Sequence, residues 1–300
     1  MAAAGNDRLA VTLGLCAALL WSTAATAFKL TLAHLDRFQV LFWSVLIASG
    51  CLGLITAISG RWPLLRRQAG ADWLRAGLLG LLNPFAYYLV LFEAYSRLPA
   101  QVALALNYSW PIALMLLSVP LLRHRLRRID ALAALICYGG VLVVALPEAA
   151  GLTLPMDTTG ILLALGSTLV WAGYWAARTG DRADPVISLF LSFSIALPCT
   201  AVACAIFSSF VPAQPAALAG TVWIGLFEMG ITFLVWLQAL RHASSAARVA
   251  LLIYLSPLVS LVLIHFIVGE AIRTATLLGL ALIIGALLLQ QLAPRPEPAA

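Results

Sequence analysis

The sequence predicts an all-α integral membrane protein, with ten transmembrane helices forming two five-helix inverted-topology repeats around a central cavity. Three observations carry this expectation. Ten apolar stretches of about 20 residues fill nearly the whole chain, and about 20 residues is the helical length that crosses a bilayer core about 30 Å thick. The composition is 63% hydrophobic and 10% charged, with a mean hydropathy of +1.00, whereas soluble domains carry about 25% charged residues. The second five stretches also repeat the first five, a pattern common in secondary transporters.

The spans fall near 9–30, 37–59, 71–95, 100–122, 129–146, 159–177, 186–208, 217–240, 246–267 and 274–292. The first follows Arg8 and ends near Ala25-Thr26-Ala27, which resembles a cleaved leader with a small-residue site. Its counterpart at 159–177 argues that it is instead one element of the repeat. The third span carries the helical stripe Ala76, Gly80, Asn83, Tyr87. The eighth carries Thr221, Gly225, Glu228, Thr232, Trp236 at the same spacing. These two polar stripes are expected to face each other or a wet cavity. The fourth span clusters Asn107, Tyr108, Trp110 and Pro111 at its centre, and the ninth clusters Tyr254, Ser256 and Pro257. Trp21 and Trp171 sit near the centres of the first and sixth, and Tyr174 follows one turn later. His265, near the end of the ninth, reads as a structural polar contact.

A shift of 146 residues places Tyr108 on Tyr254, Pro111 on Pro257 and Gly139 on Gly285. A shift of 145 places Gly80 on Gly225, Asn83 on Glu228 and Glu93 on Gln238, and a shift of 150 places Trp21 on Trp171. The repeats so defined are 9–147 and 157–292. Each holds an odd number of spans, so they insert with opposite topology about a pseudo-two-fold axis in the membrane plane.

The net charge of +6 invites a nucleic-acid reading, but its placement argues against one. With the N-terminus inside, the inner segments hold 14 basic residues: Arg8, Arg61, Arg66, Arg67, Arg75, Arg123, Arg125, Arg127, Arg128, Arg178, Arg182, Arg241, Arg248 and Arg295. The outer segments hold four, Lys29, Arg37, Arg97 and Arg273. Such a bias sets orientation and places both termini in the cytoplasm. The outer segment near 147–158 carries only the acidic Glu148 and Asp157. The five cysteines all fall in apolar spans without metal-ligand spacing, so they read as packed, reduced residues, and no metal or cofactor is expected.

Substrate sites in repeated bundles lie near the midplane, at the interface between repeats. Tryptophan prefers the membrane–water interface, so central Trp21 and Trp171 need another reason to be there. Glu228 is the sharpest residue. A charge at mid-helix costs roughly 2.5–3.5 kcal/mol on insertion scales, and no basic residue lies at comparable depth. It can carry a coupling proton, meet a substrate amine, or serve as a neutral hydrogen-bonded contact. Pro111 and Pro257 each remove a backbone hydrogen bond and are expected to kink their helices, freeing the carbonyls of Asn107 and Ile253. The rings of Trp21, Tyr87, Tyr108, Trp110, Trp171, Tyr174 and Tyr254 favour aromatic or large apolar groups and can hold an ammonium. The candidate substrate-binding set is thus Trp21, Asn83, Tyr87, Asn107, Tyr108, Trp110, Trp171, Tyr174, Glu228, Tyr254 and Ser256, with Pro111 and Pro257 as gating kinks.

Over residues 9–292 the chain resembles the drug/metabolite transporter superfamily, in its ten-helix type with two EamA domains. Within it the chain is most similar to the YddG-type aromatic amino acid exporters. The resemblance is carried by Trp21-Ser22-Thr23, Asn107-Tyr108-x-Trp110-Pro111, Trp171-Ala172-x-Tyr174 and Tyr254-x-x-Pro257. Gly269-Glu270 matches the family's usual Gly-Glu, while the first half departs from it with Arg123-His124. The resemblance implies a helical basket with both termini cytoplasmic, exporting amino acids across a bacterial inner membrane. Two other transport readings compete. Efflux of amphipathic cationic drugs would use Glu228 as counter-charge. Transport of sugar phosphates should place Lys or Arg at the midplane, and the sequence has none there. A membrane enzyme would show HExxH, a serine–histidine arrangement or a metal cluster, and none is present.

Overall fold

Apolar runs of this length become helices because each backbone N–H and C=O must be satisfied within its own segment once water is excluded. The structure, a computed structural model, describes residues 7–122, 128–145, 157–178, 183–211, 214–243, 249 and 251–292, and among them the regular elements are all helical. Expectations at 146–156, at Arg123, His124, Arg125 and Arg127, and at Arg182, Arg248 and Arg295 lie outside the described residues.

Helix α1 spans Asp7–Leu32 with a turn at Thr23, and α2 spans Arg37–Ile58. A short helix at Trp62–Arg66 precedes α3, Gly70–Arg97. Helix α4 runs as Ala100–Asn107 and Trp110–Leu122, and α5 is Arg128–Ala145. Then come α6 (Thr158–Arg178), α7 (Pro185–Phe207) and α8 (Pro215–His242). Helix α9 is assembled from Leu251–Tyr254, Leu255–Leu263 and Ile264–Val268, and α10 is Thr274–Leu292. Among the described residues, α1, α2, α3, α6, α7 and α8 are the six long and apolar enough to cross a membrane, and α5, α9 and α10 contribute shorter apolar stretches.

Local chemistry sets several of the ends. Asp36 caps α2: its Oδ1 accepts from the backbone N–H of Phe38 at 2.8 Å and of Gln39 at 3.2 Å, while Gln39 Oε1 accepts from the Asp36 N–H. Gly60, at φ 66°, turns the chain away from the end of α2. Asp184 caps α7 by accepting from Val186 at 2.9 Å, and Pro185 takes the first helical position, where no N–H is needed.

Three spans expected to be continuous are interrupted near their middles. In α3 the backbone opens at Asn83 (φ −146°, ψ 118°), before Pro84, which has no N–H to continue the ladder. In α8 a wide turn over Ile224–Glu228 ends at Met229–Gly230, where the Met229 N–H donates to the Ile224 carbonyl, five residues back, at 2.9 Å. Helix α4 breaks at Tyr108–Ser109. Pro111 therefore does not kink a helix interior as expected; it lies in the first turn of a new helical segment, where its missing N–H costs nothing. Pro257 follows a tight turn over Leu251–Tyr254 that runs directly into Leu255–Leu263.

Helix α1 packs on α8 and α9, while α6 packs on α3 and α4. Helices α2 and α7 pack on each other, α2 also on α8 and α7 also on α3, and α5 pairs with α10. Small residues permit the close approaches. A Cβ on Gly225 would stand 2.6 Å from the Ser44 carbonyl oxygen of α2, and one on Gly80 would run into the Ser192 carbonyl of α7. Of the expectation that the α3 and α8 stripes face each other or a wet cavity, the first alternative is corrected for Ala76, Gly80 and Gly225. Ala76 packs with Ile187 and Leu191 of α7, Gly225 faces α2, and the two helices meet further along, at Tyr88 and Glu228. Outward-facing apolar side chains are left open, with Ile58, Leu135 and Phe266 exposing 76, 74 and 79% of their surfaces. A lipid environment accommodates that surface and water does not. All five cysteines are free thiols.

Candidate functional site

The interruptions of α3, α4 and α8 bring aromatic side chains from both halves into one column. Trp171 of α6 is its hub. It stacks on Tyr87 of α3 (centroids 4.4 Å apart, planes at 28°) and on Tyr174 (5.5 Å, 24°). It meets Trp110 of α4 edge-on at 6.3 Å, Trp175 at 5.8 Å and Phe233 of α8 at 6.0 Å. Phe233 is edge-on to Trp21 of α1 at 5.5 Å, and Trp21 lies 5.7 Å from Trp236. These offset-stacked and edge-to-face pairs suit the ring quadrupoles, each contributing about 0.5–1.5 kcal/mol beyond area burial.

A polar thread runs beside the rings. The Tyr87 hydroxyl donates to Asn107 Oδ1 at 3.3 Å, Asn107 Nδ2 donates to Ser167 Oγ at 2.9 Å, and Ser167 donates to the Ala164 carbonyl at 2.6 Å. On the other side, the Tyr88 hydroxyl of α3 donates to Glu228 Oε1 of α8 at 3.0 Å. Trp21 Nε1 donates to the Glu228 backbone carbonyl at 3.4 Å, a carbonyl next to the α8 interruption. Thr232 donates to the Phe227 carbonyl at the same interruption. Glu228 Oε2 is buried with no hydrogen-bond partner among the described residues, and no ion pair reaches it there.

Of the residues singled out in sequence, the structure gathers Trp21, Tyr87, Asn107, Trp110, Trp171, Tyr174 and Glu228 into one assembly. Tyr108 and Ser256 lie beside each other on α4 and α9, and Tyr254 packs at the edge of the same core. Asn83 is fully buried, on a turn packed against α6 and α7, and no hydrogen bond joins it to the Glu228 side. Four participants escaped the sequence reading, among them Trp175, which follows Tyr174 directly and meets Trp171 edge-on. Ser167 lies one turn before Trp171 on the same face, a spacing that would have found it. Tyr88 follows Tyr87 directly and points about 100° away around the helix, so a stripe drawn through Tyr87 passes it by. Phe233 falls outside the α8 stripe because the break at Gly230 resets the helical phase.

The bundle end bearing Lys29 is tightly tied. Lys29 Nζ donates to the carbonyls of Tyr95 at 3.1 Å and Leu98 at 2.7 Å. The Glu270 carboxylate accepts from the backbone N–H groups of Ala100 at 2.8 Å and Gln101 at 3.3 Å, at the start of α4. Buried Gln101 donates to the Ala271 carbonyl at 2.7 Å and accepts from the Arg273 N–H at 3.1 Å. His265 Nδ1 lies 3.0 Å from the Glu270 carbonyl oxygen, the structural contact expected of it. Glu93 bridges Arg37 and Arg97, and Arg97 continues to Asp157 at 3.1 Å. The Gly160 amide, and then Arg97, hold the Asp157 carboxyl below its usual range. At the opposite end Arg178 donates to the Tyr174 hydroxyl at 2.9 Å, and Arg61 pairs with Asp184 at 3.4 Å.

The EamA-like transporter family model matches residues 8–146 and 158–290. The "Uncharacterized inner membrane transporter YhbE" of Escherichia coli is 26% identical over 261 residues, 84% of this chain and 79% of its own length. The "Aromatic amino acid exporter YddG" of Ancylobacter novellus is 27% identical over 279 residues, 92% of this chain and 94% of its own. The "Probable terminal-alkyne amino-acid exporter" of Streptantibioticus cattleyicolor is 26% identical over 287 residues, 90% and 89% of the two chains. One solved crystal structure superposes with a TM-score of 0.63 at 24% identity, covering 94% of this chain and 96% of that one, a likeness of fold. With both matched segments spanning nearly all of its length, the chain belongs to the EamA-like transporter family.

Proposed function

We propose that the chain is a secondary transporter exporting aromatic or bulky neutral amino acids and similar metabolites across the inner membrane by alternating access. The observation that carries this reading is the ring column centred on Trp171, flanked by the neutral Tyr87–Asn107–Ser167 hydrogen-bond thread. Stacked rings favour a planar apolar side chain, and neutral donors and acceptors suit the polar end of a small metabolite. Trp21, Asn83, Tyr87, Asn107, Tyr108, Trp110, Trp171, Tyr174, Glu228, Tyr254 and Ser256 are the proposed lining, with Pro111 and Pro257 as points of movement. Two of the relatives are named as amino-acid exporters, which agrees with this choice.

The same proposal takes the chain as ten crossings in two inverted repeats, 9–147 and 157–292, about a central cavity, with both termini cytoplasmic. Support comes from the exchanged packing, α1 on α8 and α9 as α6 is on α3 and α4. Both breaks at the α3 and α8 midpoints fit it, because interrupted helices at a repeat interface are where transporters build sites. The 14-to-4 split of basic residues supports the orientation. A second reading, efflux of amphipathic cations, is favoured by one observation, the unpaired oxygen of Glu228. Counterflow of labelled phenylalanine in proteoliposomes, challenged with unlabelled tryptophan, organic cations and a sugar phosphate, tests the assignment. Competition by tryptophan is expected, and stronger competition by the sugar phosphate overturns it.

A further inference from the structure

Glu228 presents an arrangement that the ring column alone does not explain. One carboxyl oxygen accepts from Tyr88, across from the other half, and the other is buried without a partner. As a carboxylate, Oε2 lacks a donor. As a protonated acid, its hydroxyl lacks an acceptor. Neither state is self-sufficient in so apolar a place, where an unmet hydrogen bond is costly. The surroundings are aromatic. Trp21 holds the Glu228 backbone, Trp21 contacts Phe233 and Trp236, and the Tyr88 ring whose hydroxyl reaches Glu228 packs against Tyr87 at 4.9 Å. No basic side chain among the described residues competes for the carboxylate. The missing partner therefore has three properties. It donates hydrogen bonds, it is cationic or becomes so beside a carboxylate, and it tolerates ring faces. A primary ammonium meets all three: it has several N–H donors and binds favourably over aromatic faces within about 6 Å.

We propose that Glu228, held by Tyr88 on one carboxyl oxygen and by Trp21 on its backbone carbonyl, is the receptor for the ammonium group of the transported molecule. The proposal rests on the export reading above and adds the chemical handle by which the substrate is held. The phenyl or indole group then lies against the Trp171–Tyr87 stack, and the ammonium meets Glu228 Oε2. Because Tyr88 and Glu228 sit on α3 and α8, a ligand at Oε2 also adds to a contact that joins the two halves. Recognition through an ammonium distinguishes amines from acids of equal size, which ring stacking cannot do.

The test separates this receptor from the amino-acid assignment. Binding of 2-phenylethylamine and of 3-phenylpropionate to the purified full-length protein is measured by titration calorimetry, beside phenylalanine counterflow, for wild type, Glu228→Gln and Tyr88→Phe. Melting temperature checks that the near-isosteric Gln variant folds. The expected result is that the amine binds wild type, the acid binds at least about tenfold more weakly, and Glu228→Gln weakens the amine at least about tenfold, with Tyr88→Phe intermediate. Amine binding unchanged in a folded Glu228→Gln protein overturns the receptor, as does a wild type that binds the acid as well as the amine or does not bind the amine at all. Phenylalanine counterflow at wild-type rate in Glu228→Gln also overturns it while leaving the export reading intact. Amine binding lost in Glu228→Gln, with no phenylalanine counterflow in wild type, upholds the receptor and removes the amino-acid assignment.

Discussion

Trp171 carries more ring contacts than any other side chain described in the column, on α3, α4, α6 and α8. Replacing it with Phe keeps a ring on Tyr87 and loses the indole's reach to Trp110. Aromatic substrates are then expected to compete several-fold more weakly, while the melting temperature changes little. Trp171→Ala should weaken competition about tenfold or more, consistent with loss of pairs each worth about 0.5–1.5 kcal/mol. Unchanged competition in the Phe and Ala variants would place the substrate elsewhere. Asn107 makes a different prediction. Asn107→Leu leaves the Tyr87 hydroxyl without its acceptor, so a loss of about 1–3 kcal/mol in stability is expected, read as a lower melting temperature in detergent. At this scale the sequence exposed residues whose type is out of place at mid-depth, such as Trp171, Asn107 and Glu228. It hid Tyr88 and Phe233, whose types are ordinary and whose roles depend on partners distant in the chain.

Interruptions rather than lengths give the elements their function. Pattern reading found the six long apolar spans because twenty apolar residues leave few alternatives, and a shift of 145 residues sets Gly80 on Gly225 and Asn83 on Glu228. Pro84 marks the α3 break in the sequence, since it has no N–H to continue the ladder, whereas hydropathy is indifferent to the reset of helical phase at the α8 break. The small residues of the stripes consequently face α7 (Ala76, Gly80) and α2 (Gly225), while Tyr87 turns to α6, Glu228 to α3 and Trp236 to α1. Gly225 supplies a direct check. A methyl there stands 2.6 Å from the Ser44 backbone oxygen, which cannot turn aside, so Gly225→Ala should cost about 1–3 kcal/mol by forcing α2 and α8 apart. Gly50→Ala on the same α2, with nothing within 4 Å of its added methyl, should be neutral in the same thermal assay. The start of α6 adds a pH effect. Asp157 has a lowered affinity for protons in the fold, so its cap is fully present above the ordinary carboxylate value of about 4 and is lost as pH falls through its lowered value. Asp157→Asn should flatten the acid side of the melting profile, and an unaltered profile would show the cap contributes nothing.

For the whole molecule, the two ends of the bundle differ in how they are tied. Lys29, Glu270 and Gln101 join α1, α3 and α4 to the loop between α9 and α10, so contacts from both halves must part before that end can open. Glu270→Ala strips the Ala100 and Gln101 N–H groups of their acceptor and should favour opening there, read as faster labelling of a cysteine placed in the column from the Lys29 side. The proposed orientation rests on the basic residues: in a background without native cysteines, His34→Cys should react with an impermeant maleimide from outside and Arg67→Cys only after permeabilisation. The reverse pattern would contradict the inside placement of the termini. If the ring column is the path of an aromatic amino acid, as proposed, counterflow of labelled phenylalanine into proteoliposomes holding unlabelled tryptophan gives accumulation that requires the internal tryptophan and is strongly reduced by Trp171→Ala. Accumulation absent in wild type, or equal in wild type and Trp171→Ala, would contradict it.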